Sequence, residues 1–296
     1  MELEQQEISI LHSDSGPYGI AISHEGKVWF TQHKANKISC IDKKGKIQAY
    51  TIPTPDAGAM CLTVSSKGDI WFTENRANKI GKLTEKGQFR EYPLPHKHSA
   101  PYGITEGPNG DIWFTEMNGN RIGKLTAEGK IYEYELPNEG SYPSFITLGS
   151  DDSLWFTENQ NNAIGKITES GEVTEFPIPT PGAGPVGITK GHDDALWFVE
   201  IIGNKIGRIT VSGDITEYDI PTPNARPHAI AAGRKSDLWF TEWGGNKIGR
   251  LTSDHKIEEY TINTPHAEPH GIGCANDGTV WFALECNKIG KLRLTT

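Results

Sequence analysis

The chain has 296 residues, a formal net charge of −9 and a mean hydropathy of −0.50. That charge balance, without any long basic run, disfavours nucleic acids and anionic membranes as partners. No apolar run approaches membrane-spanning length, and the polar start MELEQQEISI is unlike a secretory signal, so a soluble cytoplasmic protein is expected.

Length alone suggests about two domains, but the order of elements along the chain overrides that prior. The first element is a short β-type segment, residues 5–11. Ile10 stands seven residues before Pro17, just as Ile262 stands seven before Pro269. From there one pattern recurs seven times. It opens on GPYGI at 16 and returns as GAMCL at 58, APYGI at 100, YPSFI at 142, GPVGI at 184, RPHAI at 226 and EPHGI at 268. A Trp-Phe pair follows at 29, 71, 113, 155, 197, 239 and 281, always 42 residues apart. A segment of the Asn-Lys-Ile-Gly type comes next, as in 78–81 and 246–249.

Each repeat reads as four short strands separated by turn clusters such as SSKGD and TEKGQ; in the second repeat the strands fall near 60–65, 69–74, 78–83 and 88–94. A repeat of this length with four strands signals a propeller blade. The expected fold is therefore all-β: one domain over 1–296, a seven-bladed β-propeller of four-stranded antiparallel blades. The last repeat stops after its third strand, so the N-terminal segment is expected to pair with it and close the ring. The Trp-Phe pairs read as core, and the Asn at 36, 78, 120, 162, 204, 246 and 287 as turn formers. Glu74, Glu116, Glu158, Glu200 and Glu242 occupy one position in five blades and read as architecture. Cys40, Cys61, Cys274 and Cys286 lack C-x-x-C spacing and read as buried thiols of a reducing compartment.

A catalytic site needs asymmetry, so it belongs where one blade departs from the pattern. Only the sixth and seventh blades place ionisable groups around the frame proline: Arg226 and His228, then Glu268 and His270. The second frame breaks in the seventh blade too. Where other blades read WFTEN or similar, this one reads WFALE; Glu285 comes one residue late, and the segment to Asn287 is one residue shorter. That deletion is expected to re-aim Glu285. Strand one of a propeller blade lines the central channel, and the longer connections lie at the edge where strand one starts and strand two ends. Tyr18, His228, Glu268, His270 and Glu285 should therefore surround one mouth of the channel. Two carboxylates with no thiol suit Mg2+ bound through oxygens, with zinc an alternative if His270 or His266 coordinates. A neutral histidine beside them suits a general base. His266 alone reads as a polar surface group.

These residues, the seven WF/NKIG-type repeats together with RPHAI at 226, EPHG at 268 and WFALE at 281, resemble the virginiamycin B lyase (streptogramin B lyase) family over the whole chain. The resemblance implies a magnesium-dependent carbon–oxygen lyase that confers antibiotic resistance. It would linearise streptogramin B cyclic depsipeptides by elimination at the threonyl ester. By position, His270 would take the threonyl α-proton, Glu268 and Glu285 would hold Mg2+, and His228 would contact the substrate. Tyr18 is assigned to substrate binding, and Tyr102, Met60 and Trp243 are candidates for apolar walls. A closed ring makes a monomer the expectation. Two rival readings use the same residues or fewer: a metal-dependent lactone hydrolase, and a non-catalytic propeller that binds a protein or peptide.

Overall fold

A computed structural model describes residues 2–10 and 14–295. Among these residues every regular element is a strand, and the strands form seven four-stranded antiparallel sheets. In each sheet consecutive strands are neighbours, and the innermost strands contact one another around a ring. This is the seven-bladed β-propeller expected from the repeats. The second blade has strands Ala59–Val64, Ile70–Glu74, Lys79–Leu83 and Phe89–Pro93, each within about one residue of its expected place. The seventh blade is completed as anticipated. Glu2–Ser9 pairs antiparallel with Lys288–Thr295, from Glu2 opposite Thr295 to Ser9 opposite Lys288. Leu11, the end of the expected closing segment, lies outside the described residues.

The repeated residues have separable physical tasks. Trp and Phe are adjacent on strand two, so they point to opposite faces of the blade. The Phe rings are fully buried, from Phe30 to Phe282. In six blades the ring lies against the glycine of the Asn-Lys-Ile-Gly segment, where a Cβ on Gly81 would stand 2.2 Å from the Phe72 ring; the first blade has Ser39 opposite Phe30 instead. The Trp rings stack on an aromatic ring of strand four in six blades, as Trp113 does on Tyr134 at 5.8 Å. Trp71 and Trp281 are only half-buried; the other five Trp of the pairs are buried. The Asn residues do more than turn the chain. Asn246 has φ +53°, its Oδ1 accepts from the N–H of Ala267, and its Nδ2 donates to the Thr264 carbonyl. Each such Asn ties its blade to the next, and Asn287 ties the last to the first by accepting from Ser15 N.

The innermost strands are joined by threonines of strand two. Thr241 Oγ1 accepts from Ala229 N at 3.0 Å and donates to the His270 carbonyl at 2.8 Å, fixing the backbone that carries His270. The four cysteines are free thiols; Cys40 and Cys61 are buried, Cys274 and Cys286 half-buried. Among the described residues no helix is long and apolar enough to cross a membrane.

The five repeated glutamates end strand two with no exposure to solvent. Each faces a second glutamate of strand four that repels its charge: Glu74 faces Glu91, Glu116 faces Glu133, Glu158 faces Glu175, Glu200 faces Glu217, and Glu242 faces Glu259. Two facing carboxylates have no donor between them unless one is protonated. Burial, then repulsion from Glu217, pushes Glu200 up to about 8, so the inner partner holds the proton. Burial also acts on Glu217, but hydrogen bonds from Thr180 and the charge of Lys205 outweigh it and hold that carboxyl below its usual range. An unfolded chain releases the Glu200 proton near the ordinary carboxylate pKa, whereas the folded chain keeps it to about 8. Stability therefore falls as pH rises through that window and levels above it. Glu200→Gln, neutral at every pH, should raise stability relative to the parent by about 3–4 kcal/mol more at pH 8.5 than at pH 5. Urea denaturation at the two pH values measures this, and an equal difference at both would contradict the shared proton.

Candidate active site

Every first hairpin carries the same irregularity at the channel edge. In the seventh blade Pro269 pairs with Leu284 and Ile272 with Phe282, so the register shifts across His270 and Gly271. A bulge re-aims a side chain, and Tyr18 and His228 occupy the same place in blades one and six. Gly271 permits close contact with blade one, since a Cβ there would lie 2.6 Å from the Tyr18 carbonyl oxygen. The result is a packed aromatic cluster. The His270 ring stacks on Tyr18 at 4.3 Å and meets His228 edge-on at 4.9 Å. The Tyr18 hydroxyl is 2.6 Å from that of Tyr102 and 3.1 Å from His228 Nε2. Below the cluster the channel holds a cavity of about 150 Å³ lined by Ile20, Ile104, Ile188 and their neighbours.

Burial, with His270 alongside, pushes the His228 imidazole down to about 3, so it is neutral at physiological pH. Burial likewise raises the Tyr18 and Tyr102 phenols well above their usual range, and both hydroxyls stay protonated.

The acidic residues complete the mouth. Glu285 Oε2 accepts a hydrogen bond from His270 Nε2 at 2.7 Å. Its Oε1 accepts from His33 Nε2 at 3.1 Å and pairs with Lys34 Nζ at 3.0 Å. The hydrogen bonds from His270, His33 and Lys34 hold Glu285 well below the usual carboxylate range. Glu268 stands in the left-handed region, with φ +52°, as do the residues before the proline in the other blades. One ligand atom each from Glu268, His270 and Glu285 lies within 4.8 Å of the others. Tyr18, His228, Glu268, His270 and Glu285 thus surround one mouth of the channel.

The profile of the virginiamycin B lyase family matches residues 3–292. The chain belongs to that family. Within the virginiamycin B lyase family, a lyase from Staphylococcus aureus is 72% identical over a local stretch of 55 residues, 19% of this chain and 18% of that protein's length. Over the full fold, the selenomethionine-substituted virginiamycin B lyase from Staphylococcus aureus superposes with a TM-score of 0.97 at 72% identity, covering 99% of this chain and 100% of that one. The catalytically inactive H270A form of the Staphylococcus aureus lyase, solved with quinupristin, matches with a TM-score of 0.97 at 71% identity, again over 99% and 100% of the two chains.

The lyase-family chain departs from the sequence expectation in three respects. The one-residue deletion does not re-aim Glu285. Pro269 pairs with Leu284 as Pro227 pairs with Glu242, and Glu285 N donates to the Glu268 carbonyl as Trp243 N does to that of Arg226. The backbone at Glu285 is therefore in register with the other blades, and the missing residue falls in the turn behind it. What changed is composition: Leu284 fills the buried glutamate position, and Glu285 stands where the others carry His33, Asn75 or Trp243. Second, the wall candidates differ in availability. Tyr102 is buried, Met60 and Trp243 are half-buried, and the Arg226 guanidinium lies over the Trp243 ring at 5.6 Å. Third, His33 and Lys34 were missed. Their signal was present in WFTQH, the one blade with a histidine at Glu285's register position.

Two carboxylates and one imidazole offering converging atoms fit a divalent cation. His266 is exposed and outside the cluster.

Proposed function

We propose that this lyase-family chain linearises streptogramin B cyclic depsipeptides by elimination at the threonyl ester, inactivating the antibiotic, with Glu268 and Glu285 holding Mg2+. The observation that carries the reading is the convergence of Glu268, His270 and Glu285 at the channel mouth, in a fold almost superposable on the relative solved with quinupristin. Their oxygens favour a hard ion such as Mg2+. Bound there, the ion would act as a Lewis acid toward the carboxyl group that leaves.

The remaining steps belong to the protein's own side chains. A threonyl Cα–H is a weak acid, so a base must be held against it. His270 takes that proton at Nε2, the nitrogen that faces the mouth, from the tautomer whose own hydrogen sits on the buried Nδ1; the hydrogen bond that Nε2 otherwise donates to Glu285 is given up first, which leaves its lone pair free. The electron pair of the Cα–H bond forms the Cα=Cβ double bond, the Cβ–O bond breaks, and the phenylglycyl carboxylate departs. Stacking on Tyr18 keeps the imidazole in place through this transfer. His228, neutral and hydrogen-bonded to Tyr18, contacts the substrate without adding charge. The closed ring leaves only the short outer strand of each blade as a sheet edge and supports a monomer, and four free thiols suit the cytoplasm.

Mass spectrometry of a streptogramin B compound after incubation, with Mg2+ and with chelator, tests the proposal. The expected product is ring-opened, of unchanged mass, and formed only with the ion. A product heavier by one water would make the protein a hydrolase. An untouched substrate would leave a binding propeller.

A further inference from the structure

We propose that Lys34 is a built-in counter-ion of the Glu268–Glu285 site, which a divalent cation must displace, so that this side chain sets the affinity of the site for the ion. The inference rests on the reading of Glu268 and Glu285 as ligands given above. Both oxygens of Glu285 already carry donors: His270 on Oε2, His33 and Lys34 on Oε1. The Lys34 ammonium, at 3.0 Å, is a lysine cation in direct contact with the carboxylate. Glu268 also attracts it. An ion of charge +2 arriving between these carboxylates meets a like charge at contact distance, where repulsion is strong even near a protein surface.

The surroundings are shaped for Lys34 to leave. Its side chain is 40% exposed, and its Nζ is 3.7 Å from Asp14 Oδ1, a second carboxylate that is itself 84% exposed. A small rotation of a flexible stem transfers the ammonium from Glu285 toward Asp14. Blade one makes room for the contact. A Cβ on Gly16 would lie 2.8 Å from the His33 ring and 3.0 Å from Lys34 Cδ. The equivalent residues of other blades include Tyr142, Arg226 and Glu268, all with positive φ, so the backbone conformation does not demand glycine here. Space for His33 and Lys34 does.

Mn2+ binding, followed by electron paramagnetic resonance in the absence of substrate, with Mg2+ as competitor, tests this. Lys34→Met should bind both ions about five- to tenfold more tightly than the parent, and Lys34→Arg should bind within about twofold of it. In chelator, Lys34→Met should melt at a lower temperature than the parent, and saturating Mg2+ should close that gap. Unchanged or weaker binding by Lys34→Met, while Glu268→Gln and Glu285→Gln both lose the site, would overturn the role of Lys34 and leave the ligand assignment standing. Absence of a site in the parent protein would overturn both.

Discussion

His270→Ala is expected to lower turnover of a streptogramin B substrate by on the order of 10³-fold while changing its dissociation constant by less than about threefold. The split follows from position. The His270 backbone is fixed by Thr241 and its ring by Tyr18, so the imidazole presents one nitrogen toward Glu285 and the mouth. Removing it deletes the proton acceptor stacked on Tyr18; the other imidazole on Glu285, His33, sits on the opposite oxygen of that carboxylate. His228 is the nearest imidazole, and its Nε2 is occupied by Tyr18 while its Nδ1 is buried. The wider mouth, including Trp243, is untouched, so contacts with the substrate body remain. Rapid-quench turnover and equilibrium binding, each with Mg2+ present, separate the two quantities. A variant retaining a tenth of parental turnover would remove His270 as the base. Loss of binding in step with turnover would make it a substrate contact instead.

How far this arrangement could be read from sequence depended on whether a feature was repeated or unique. The 42-residue interval fixed blade number, strand order and ring closure, because each frame was sampled seven times and local accidents cancelled. His228, Glu268, His270 and Glu285 were found as departures from that average. The same procedure hid what the average itself does. The five buried glutamates read as architecture, and their strand-four partners, Glu91, Glu133, Glu175, Glu217 and Glu259, also recur every 42 residues; that the two sets face each other becomes visible only in the folded blade. His33 and Lys34 were missed for a topological reason. They meet Glu285 only because blade one closes against blade seven, and His33 is 252 residues away along the chain. The place of the deletion before Asn287 within the turn is not defined by spacing, because only the pairing of Leu284 with Pro269 fixes it.

Glu285→Gln is the second large effect expected, and the repeat supplies its control. The substitution keeps the size of the side chain and removes its charge. The amide retains one oxygen that can accept from His270 or from Lys34, so the fold should hold. As an ion ligand the amide is much weaker than a carboxylate, because the charge that offsets dehydration of the cation is gone. The Mg2+ concentration for half-maximal activity should rise by at least about tenfold, and turnover at saturating Mg2+ should fall by on the order of 10². The same chemical change at Glu200, a carboxyl that repeats in five blades and already holds its proton, should leave both quantities within about twofold of the parent. A Mg2+ titration of the two variants beside the parent therefore asks whether the seventh blade's glutamate differs in function from the architectural ones. If Glu285→Gln titrates like Glu200→Gln, Glu285 is not a ligand, and its partnership with His270, His33 and Lys34 would be a structural clasp that closes the ring. If only Glu285→Gln shifts, the catalytic ion is held where the propeller's pattern is broken: Leu284 took over the buried position, and the next residue in register became free to carry a charge at the mouth.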